Sequence, residues 1–329
     1  METIMEKNNE GLIQAYILDG AGGGRKADWD GINRWQPEQG ILWVHLNYNL
    51  KDSQEWLYNK SGLDEVISDA LTEEDSRPRC TIFREGLLLG LRGVNLNPGS
   101  DPEDMVGVRI WFENNRIIST RQRRILSVAE IQTAIENGTG PETMDDFLVQ
   151  VTGRVMEHMR QVIDDLEDKV ADLEEQILTA ESRQLRTQLA DVRRQAISLR
   201  RYLSPQREAL SRLLTEKISW LDESSRIRLR EVSDQLARYL EDLDEARDRA
   251  AVTQEELMNR LSEQMNNKMY LLSIVAAIFL PLSFLTGLLG INVGGIPGAE
   301  SKLGFSVFII LLVVVVVFQV WYFKKKKWL

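Results

Sequence analysis

The sequence predicts an α+β domain followed by long stalk helices and a two-helix transmembrane hairpin at the C-terminus. Two stretches near that end, Met269–Gly290 and Leu303–Phe323, contain no charged residue. Each exceeds the roughly 20 apolar residues that a helix needs to cross a bilayer. Strand and helix patterns alternate before residue 141, whereas only helical spacing follows it. The short turn between the two spans leaves no room for an enzyme or receptor domain on that side.

Residues 1–141 are predicted to form a cytoplasmic α/β domain with its own core. The predicted strands are Gln14–Leu18, Ile41–Tyr48, Thr81–Phe83, Leu87–Val94, Val106–Phe112 and Ile117–Thr120, and the predicted helices are Ser53–Tyr58 and Leu63–Leu71. In the second strand, Trp43 and His45 are predicted to share one face, with Val44 on the other. The pair Asn114-Asn115 predicts a hairpin between the last two strands.

A glycine-rich segment, Gly20–Lys26, superficially resembles a phosphate-binding loop. It lacks the spacing of that motif, and Ala27 stands where Ser or Thr would bind Mg²⁺. We therefore interpret the segment as a flexible turn after the first strand, and the sequence gives no support for an ATPase.

Long helices are predicted from residue 142 onward. Residues 142–225 predict a cytoplasmic helical hairpin whose second helix is interrupted by Pro205. Residues 226–290 predict one continuous stalk helix, on the order of 95 Å long, that becomes the first span at 269–290. A helix of that length requires partners, which are copies of itself or the two preceding helices. A short extracytoplasmic loop (291–302), the second span (303–323) and a basic tail (324–329) complete the chain.

The charge distribution predicts the topology of the chain. The basic cluster Lys324–Lys327 follows the second span directly, and such clusters favour the cytoplasm. Two spans return the chain to its starting side, so both termini are predicted to be cytoplasmic in a multi-pass plasma-membrane protein. The N-terminus has neither the basic nor the apolar region of a secretory signal. The single cysteine, Cys80, agrees with a reducing compartment.

The soluble part is strongly acidic. Residues 269–329 carry +4, so residues 1–268 carry −14 of the overall −10. This balance argues against nucleic acid as a partner and suits cations, although it serves solubility equally well. Cys80, His45 and His158 are the only Cys and His residues and form no ligand pattern, so no high-affinity zinc site is predicted and the metal-binding residues stay unidentified. No nucleophile–base pattern indicates an enzyme.

The first span has a stripe of smaller, more polar residues at alternating spacings of three and four. The stripe consists of Asn266, Met269, Ser273, Ala276, Leu280, Ser283 and Gly287. Such stripes are typical of helix–helix packing in membranes, and they also line narrow aqueous paths. The residues alone leave both interpretations open. Two helices cannot enclose a lumen, so a path would require several copies of the chain. Pro281 frees the carbonyl of Ala277 and can kink the span.

The turn after the first span carries possible ion-contacting groups. Gly290 is a preferred residue at a helix C-terminus, and Asn292 is either an ordinary turn residue or one member of a ring of amide carbonyls at a pore mouth. Neutral oxygen dipoles suit a cation that keeps much of its water. Glu300 is either a solvated loop acid or a ring of charge that concentrates cations.

These features together resemble the CorA family of divalent-cation transporters over essentially the whole chain. The resemblance rests on two terminal spans after a long helix, with Gly290-Ile291-Asn292 closing the first. The family's usual tripeptide is Gly-Met-Asn. The variant here, followed by Val293–Gly298, is similar to the ZntB branch, the zinc transport proteins. The segment Ala70–Arg79 is similar to part of the family's N-terminal domain.

The resemblance implies a homopentameric funnel in a bacterial inner membrane, with the first spans around a central pore and the second spans in an outer ring. It implies that Gly290, Ile291 and Asn292 form the selectivity signature, that Asn292 faces the incoming hydrated ion, and that Zn²⁺ is the transported ion, with no cofactor. Direction and proton coupling stay open. One alternative is a Mg²⁺/Co²⁺ channel of the same architecture. Another is a membrane-anchored coiled-coil scaffold or metal sensor.

Overall fold

A computed structural model describes residues 11–74, 77–179, 183–290 and 301–326. The chain divides into two compact units, Met1–Gln254 and Glu255–Leu329. The first unit contains an α/β sheet domain and long helices, and the second contains two long apolar helices. The predicted fold class, an α/β domain followed by long helices and two apolar C-terminal helices, is confirmed.

A seven-stranded sheet forms the centre of the first unit. The strands are β1 (Leu12–Leu18), β2 (Gly24–Lys26), β3 (Ile41–Asn47), β4 (Arg79–Phe83), β5 (Gly86–Gly93), β6 (Val106–Glu113) and β7 (Arg116–Arg121). They lie in the order β2-β1-β3-β7-β6-β5-β4. Only β3 and β7 pair in parallel, and every other neighbouring pair is antiparallel. The carboxyl ends of β3 and β7 therefore meet at one edge of the sheet.

Helices cover both faces of this sheet. The central strands therefore bury successive side chains, which point to opposite faces. One face packs against α1 (Trp29–Arg34), α2 (Lys51–Asn59) and α3 (Glu65–Thr72), with Val44 in that cluster. On the other face, the Trp43 ring meets the Phe147 ring edge-on at 5.0 Å. The predicted alternation along the second strand is confirmed. Burying each large side chain of this kind stabilises the fold by about 1.5–3 kcal/mol.

The remaining helices are long. They are α4 (Leu126–Glu136), α5 (Met144–Thr179), α6 (Arg183–Thr215), α7 (Glu223–Leu289) and α8 (Gly304–Lys325). Helix α7 is continuous, as the sequence predicted. Its first part is tied to α5 by a bidentate ion pair between Arg249 and Glu174, with N–O distances of 3.0 and 2.6 Å. Near its start, Ser225 Oγ donates to the Asp145 carboxylate at 2.9 Å.

The hairpin predicted at Asn114-Asn115 joins β6 and β7. Both asparagines adopt a left-handed backbone, with φ of 43° and 57°. Asparagine tolerates this region better than most residues, and a turn with two such residues matches the twist of paired strands. The prediction is confirmed.

One local prediction, a turn over Gly20–Lys26, holds only for Gly20–Gly23, and a second prediction is wrong. Gly24–Lys26 form strand β2 on the edge of the sheet instead of a flexible turn, because the Asp19 carboxylate accepts from the amides of Ala21 and Gly23 and folds the chain back along β1. Pro205 does not interrupt the second long helix, and α6 runs through it. The next residue, Gln206, is buried and accepts from the Arg92 amide of β5 at 2.7 Å, which anchors the helix there.

Three short elements are not among the predicted ones: α1, α4 and a 3-10 turn at Pro37–Gln39. Helix α1 spans six residues and buries only Ile32, so it has no measurable periodicity; Asp28 caps it by accepting from the Gly31 amide at 2.8 Å. Helix α4 does carry a signal, because Val128, Ile131 and Ile135 are buried at helical spacing.

Candidate ion pathway

The candidate site lies in the second unit, which consists of the end of α7 and all of α8. Among the residues that the structure describes, two helices are long and apolar enough to cross a membrane, and none of their most apolar stretch is buried within the chain. Large side chains such as Leu272, Phe279 and Phe305 are exposed. An apolar surface of this extent marks a membrane or protein contact.

A polar contact links α7 to α8 within the bilayer-length region. Pro281 lacks the amide that would donate to the carbonyl of Ala277, four residues earlier. The Gln319 side chain of α8 donates to that carbonyl instead, with an Nε2–O distance of 3.4 Å. An unsatisfied carbonyl in hydrocarbon is costly, so this contact gives the polar Gln319 side chain a structural role within the second span. The sequence contained both residues but not their proximity.

All seven residues of the predicted stripe are exposed within the chain. The side of α7 that turns towards α8 contains Ile274, Ala277 and Pro281, of which Ile274 is the most buried. At 100° per residue, the stripe is centred about a third of a turn away from that side. The structure therefore leaves the stripe uncovered by α8. It does not test whether the stripe lines a path or packs against another chain.

Five positions of the stripe are small or oxygen-bearing, and the other two, Met269 and Leu280, are large and apolar. Ser273 Oγ donates its proton to the Met269 carbonyl at 2.8 Å, so the hydroxyl oxygen keeps its lone pairs for an outside partner. An added Cβ at Gly287 would meet nothing within 4 Å, so this glycine faces open space. Met269 and Leu280 are 62% and 72% exposed. The stripe can thus offer acceptor oxygens at some levels and a dry constriction at others.

Helix α7 ends at Leu289, one residue before the predicted end of the first span. The Gly290 amide donates to the Thr286 carbonyl at 2.9 Å, closing the last turn. A Cβ at Gly290 would lie 2.8 Å from that same carbonyl oxygen, so glycine is required here by close approach. The other predicted mouth residues, Ile291, Asn292 and Glu300, lie outside the described residues, and their roles stay predictions.

The Cys and His residues are dispersed through the first unit. His45 is buried on β3, and its Nδ1 lies 2.8 Å from Ser119 Oγ. Burial, with a smaller contribution from the Arg121 charge, lowers the pKa of His45 to about 3. His158 Nε2 lies 3.0 Å from a Glu130 oxygen. Burial raises the pKa of the Cys80 thiol to about 11. These positions fit structural roles.

Carboxylates crowd one groove of the first unit, between α5 and α7. Burial and neighbouring acids raise the pKa values of Glu167 and Asp242, with Asp164 and Glu245 contributing to both. Within the described ranges, however, no group of three or more His, Cys, Asp or Glu side chains is arranged to hold a metal ion. These carboxylates repel one another, and no set of metal ligands can be identified among them.

The end of α8 has the composition of a membrane–water boundary. The ring centroids of Trp321 and Phe318 lie 5.9 Å apart. The Lys325 ammonium lies 5.1 Å from the centroid of the Trp321 ring. Aromatic rings next to lysines are typical of the headgroup level of a bilayer. This boundary coincides with the basic cluster that begins at Lys324.

An α/β domain, long helices and two exposed apolar helices of bilayer-crossing length are the architecture of an integral membrane protein. The chain belongs to the CorA family: the family model described as CorA-like Mg2+ transporter protein matches residues 38–325.

Similar proteins agree with this assignment. The chain is 39% identical over 318 residues to the zinc transport protein ZntB of Yersinia pestis, covering 96% of each chain. It is 40% identical over 336 aligned positions to the divalent cation transporter CmaX of Pseudomonas aeruginosa, covering 100% of each. The solved structure of full-length CmaX matches with a TM-score of 0.85 at 39% identity, over 98% of this chain and 100% of that one. The CorA magnesium transporter of Methanocaldococcus jannaschii shares the fold, with a TM-score of 0.81 at 17% identity over 96% of this chain and 99% of that one.

Proposed function

We propose that this protein transports Zn²⁺ across a bacterial inner membrane through the central pore of a homopentamer. The observation that carries the proposal is the uncovered stripe on α7, which presents small and oxygen-bearing residues away from α8. The full-length similarity to proteins named ZntB supports zinc as the substrate. Zn²⁺ enters this account as the transported ion and no cofactor is required.

The stripe gives the pore a simple mechanism. In a ring of five chains, the oxygens at Ser273 and Ser283 form polar rings that accept hydrogen bonds from the ion's water shell. Met269 and Leu280 form apolar rings roughly 16 Å apart along the helix axis. A hydrated divalent ion crosses only when these rings are wide enough to admit its water. The neutral oxygens hold the ion too weakly to trap it, so they do not control its passage. The pore opens when the apolar rings at Met269 and Leu280 widen.

The pore mouth and the orientation follow from the same arrangement. Gly290 ends the first span, and Asn292 and Glu300 in the following turn meet the incoming ion on the outer side. The basic cluster from Lys324 lies in the cytoplasm, together with the acidic α/β unit. The net negative charge of residues 1–268 raises the local concentration of cations on the cytoplasmic side of the membrane.

The test is ion flux in reconstituted vesicles, with Zn²⁺ and Mg²⁺ compared in the presence and absence of a pH gradient. Zn²⁺ flux exceeding Mg²⁺ flux supports the proposal, and a dependence on the gradient would establish proton coupling. The description of the matching family model as a Mg2+ transporter favours one alternative, a Mg²⁺/Co²⁺ channel of the same architecture. Mg²⁺ or Co²⁺ flux above that of Zn²⁺ would replace the zinc assignment with that one.

Two adjacent substitutions separate transport from a scaffold or sensor role. Ala276→Trp places a large ring in the stripe, whereas Val275→Trp places it 100° away on the same turn. Flux is expected to be abolished by the first substitution and retained by the second. If neither substitution changes flux, or if no flux is found for any divalent ion, the pore assignment is wrong.

A further inference from the structure

A cavity of about 720 Å³ lies in the α/β domain. It opens where the carboxyl ends of the parallel strands β3 and β7 meet and where α4 begins. Ligands of open α/β sheets bind at this kind of edge. The volume lies within the usual range for small-molecule sites. The cavity belongs entirely to the first unit.

The charge of the cavity is opposite to that of the chain. Its lining includes Arg121, Arg123 and Arg124 but no Asp or Glu, although the chain has 50 acids and 40 bases. Arg123 forms an ion pair with Asp104. Its Nη1 donates to Oδ2, and its Nη2 donates to Oδ1 at 3.2 Å. The Arg124 side chain has no hydrogen-bond or ion-pair partner among the described residues. With Arg121 and Arg124 beside the Arg123–Asp104 pair, the lining carries a net positive charge, which favours an anion.

A buried amide also lines the cavity and lacks a partner. Gln14 is 4% exposed, and no described residue bonds to its side chain. The register of β1 shifts between Leu12 and Gln14, which places Gln14 opposite His45. Such a bulge re-aims side chains at the rim of a sheet. The Gln14 amide atoms remain open to the cavity, so a ligand can bond to them directly in place of solvent.

Polar and apolar groups occupy different parts of the lining. Gln14, His45, Asn47 and Arg121 belong to neighbouring strands, where Gln14 pairs with His45 and Asn47 with Arg121. Ile125, Val128 and Ala129, at the start of α4, supply apolar surface. The amino end of α4 adds a partial positive charge. The cavity therefore fits a ligand with an anionic group and a flat apolar part.

We propose that this cavity binds a small phosphate ester, with a mononucleotide as the representative ligand. The phosphate lies between Arg121 and Arg124 near the amino end of α4, since guanidinium groups bind phosphate oxygens in pairs. The Gln14 amide bonds to the polar edge of the organic part, which packs on the apolar start of α4. The site is separate from the ion pathway, so its test does not depend on the transported ion.

Calorimetric titration of the full-length protein in nanodiscs tests the proposal, with AMP, adenosine and inorganic phosphate as probes. AMP is expected to bind saturably and more tightly than either of the others, because it alone satisfies both parts of the site. Arg124→Ala should weaken AMP binding by about tenfold, as for loss of one charge-assisted contact. Arg25→Ala, an exposed arginine on β2 of the same domain, is the matched control and should leave binding unchanged.

Gln14→Leu provides a second readout that does not alter charge. It removes the amide while keeping a buried side chain of similar size, so it should weaken AMP binding without weakening phosphate binding. Absence of saturable AMP binding, equal affinity for AMP and adenosine, or equal effects of Arg124→Ala and Arg25→Ala would each overturn the proposal. Unchanged near-ultraviolet circular dichroism of each variant confirms that it is folded.

Discussion

The buried ring of His45 makes the first unit sensitive to acid. The folded protein keeps this ring neutral because burial lowers its pKa from 6.5 to about 3. The unfolded chain binds a proton below about pH 6.5, so acid favours unfolding. Above that pH both states are neutral and the ring contributes nothing. Stability is lost progressively as the pH falls from 6.5 towards 3, and the loss reaches about 2 kcal/mol at pH 5.

The assay is urea unfolding of the detergent-solubilised protein at pH 7 and pH 5, followed by tryptophan fluorescence. Trp43 is a suitable reporter, because its ring lies 6.0 Å from that of His45. His45→Asn keeps a polar group near Ser119 but cannot titrate. Between pH 7 and pH 5, the free energy of unfolding of the wild type is therefore expected to fall by about 2 kcal/mol more than that of the variant.

The other histidine provides the control. His158→Gln leaves His45 in place. Between pH 7 and pH 5, its free energy of unfolding should therefore fall by as much as that of the wild type. The comparison subtracts the carboxylates that also titrate in this range. If His45→Asn and wild type lose equal stability between pH 7 and pH 5, the ring is not held neutral by burial and the reasoning is refuted.

Three further predictions concern the second unit. Gln319→Leu should destabilise the helix pair by about 1 kcal/mol in thermal unfolding, because the Ala277 carbonyl loses its donor. Pro281→Ala restores that donor within α7, so the loss should largely disappear in the double variant; additive losses would contradict this explanation. Leu280→Ala should raise Zn²⁺ flux in vesicles by widening an apolar ring, and unchanged or lower flux would exclude Leu280 as a constriction. Asn292→Ala should reduce Zn²⁺ flux about tenfold or more through loss of one dipole per chain, and wild-type flux would remove Asn292 from the ion path.

The elements that the sequence predicted correctly have long or strongly patterned signals. Trp43 and Val44 alternate between the two covered faces of a buried strand, Asn114-Asn115 fits only a few turn types, and the last helices are defined by charge-free runs. Each of these signals is local, because it depends on neighbouring residues alone. The family assignment drew on the same local signals and on Gly290-Ile291-Asn292.

The features that sequence reasoning missed depend on contacts between distant residues. Pro205 reads as a helix breaker, yet Gln206 bonds to β5 and the helix continues. Gln319 and Ala277 are 42 residues apart, so nothing in either segment indicates their contact. The arginine-lined cavity likewise requires Gln14 and Arg121 to meet through the pairing of three strands. The stripe on α7 is a pattern in the sequence. That α8 packs on a different side of α7 and leaves the stripe exposed depends on the contact between Gln319 and Ala277.

Cysteine accessibility along α7 tests the central claim most directly. In a Cys80→Ala background, single cysteines at Ser273, Ala276 and Ser283 are compared with cysteines at Leu271 and Val275 in the reconstituted protein. A water-soluble thiol reagent is expected to modify the first three and to block Zn²⁺ flux, leaving the other two unmodified. Modification of Leu271→Cys and Val275→Cys with protection of the stripe would place water on a different face and contradict the account.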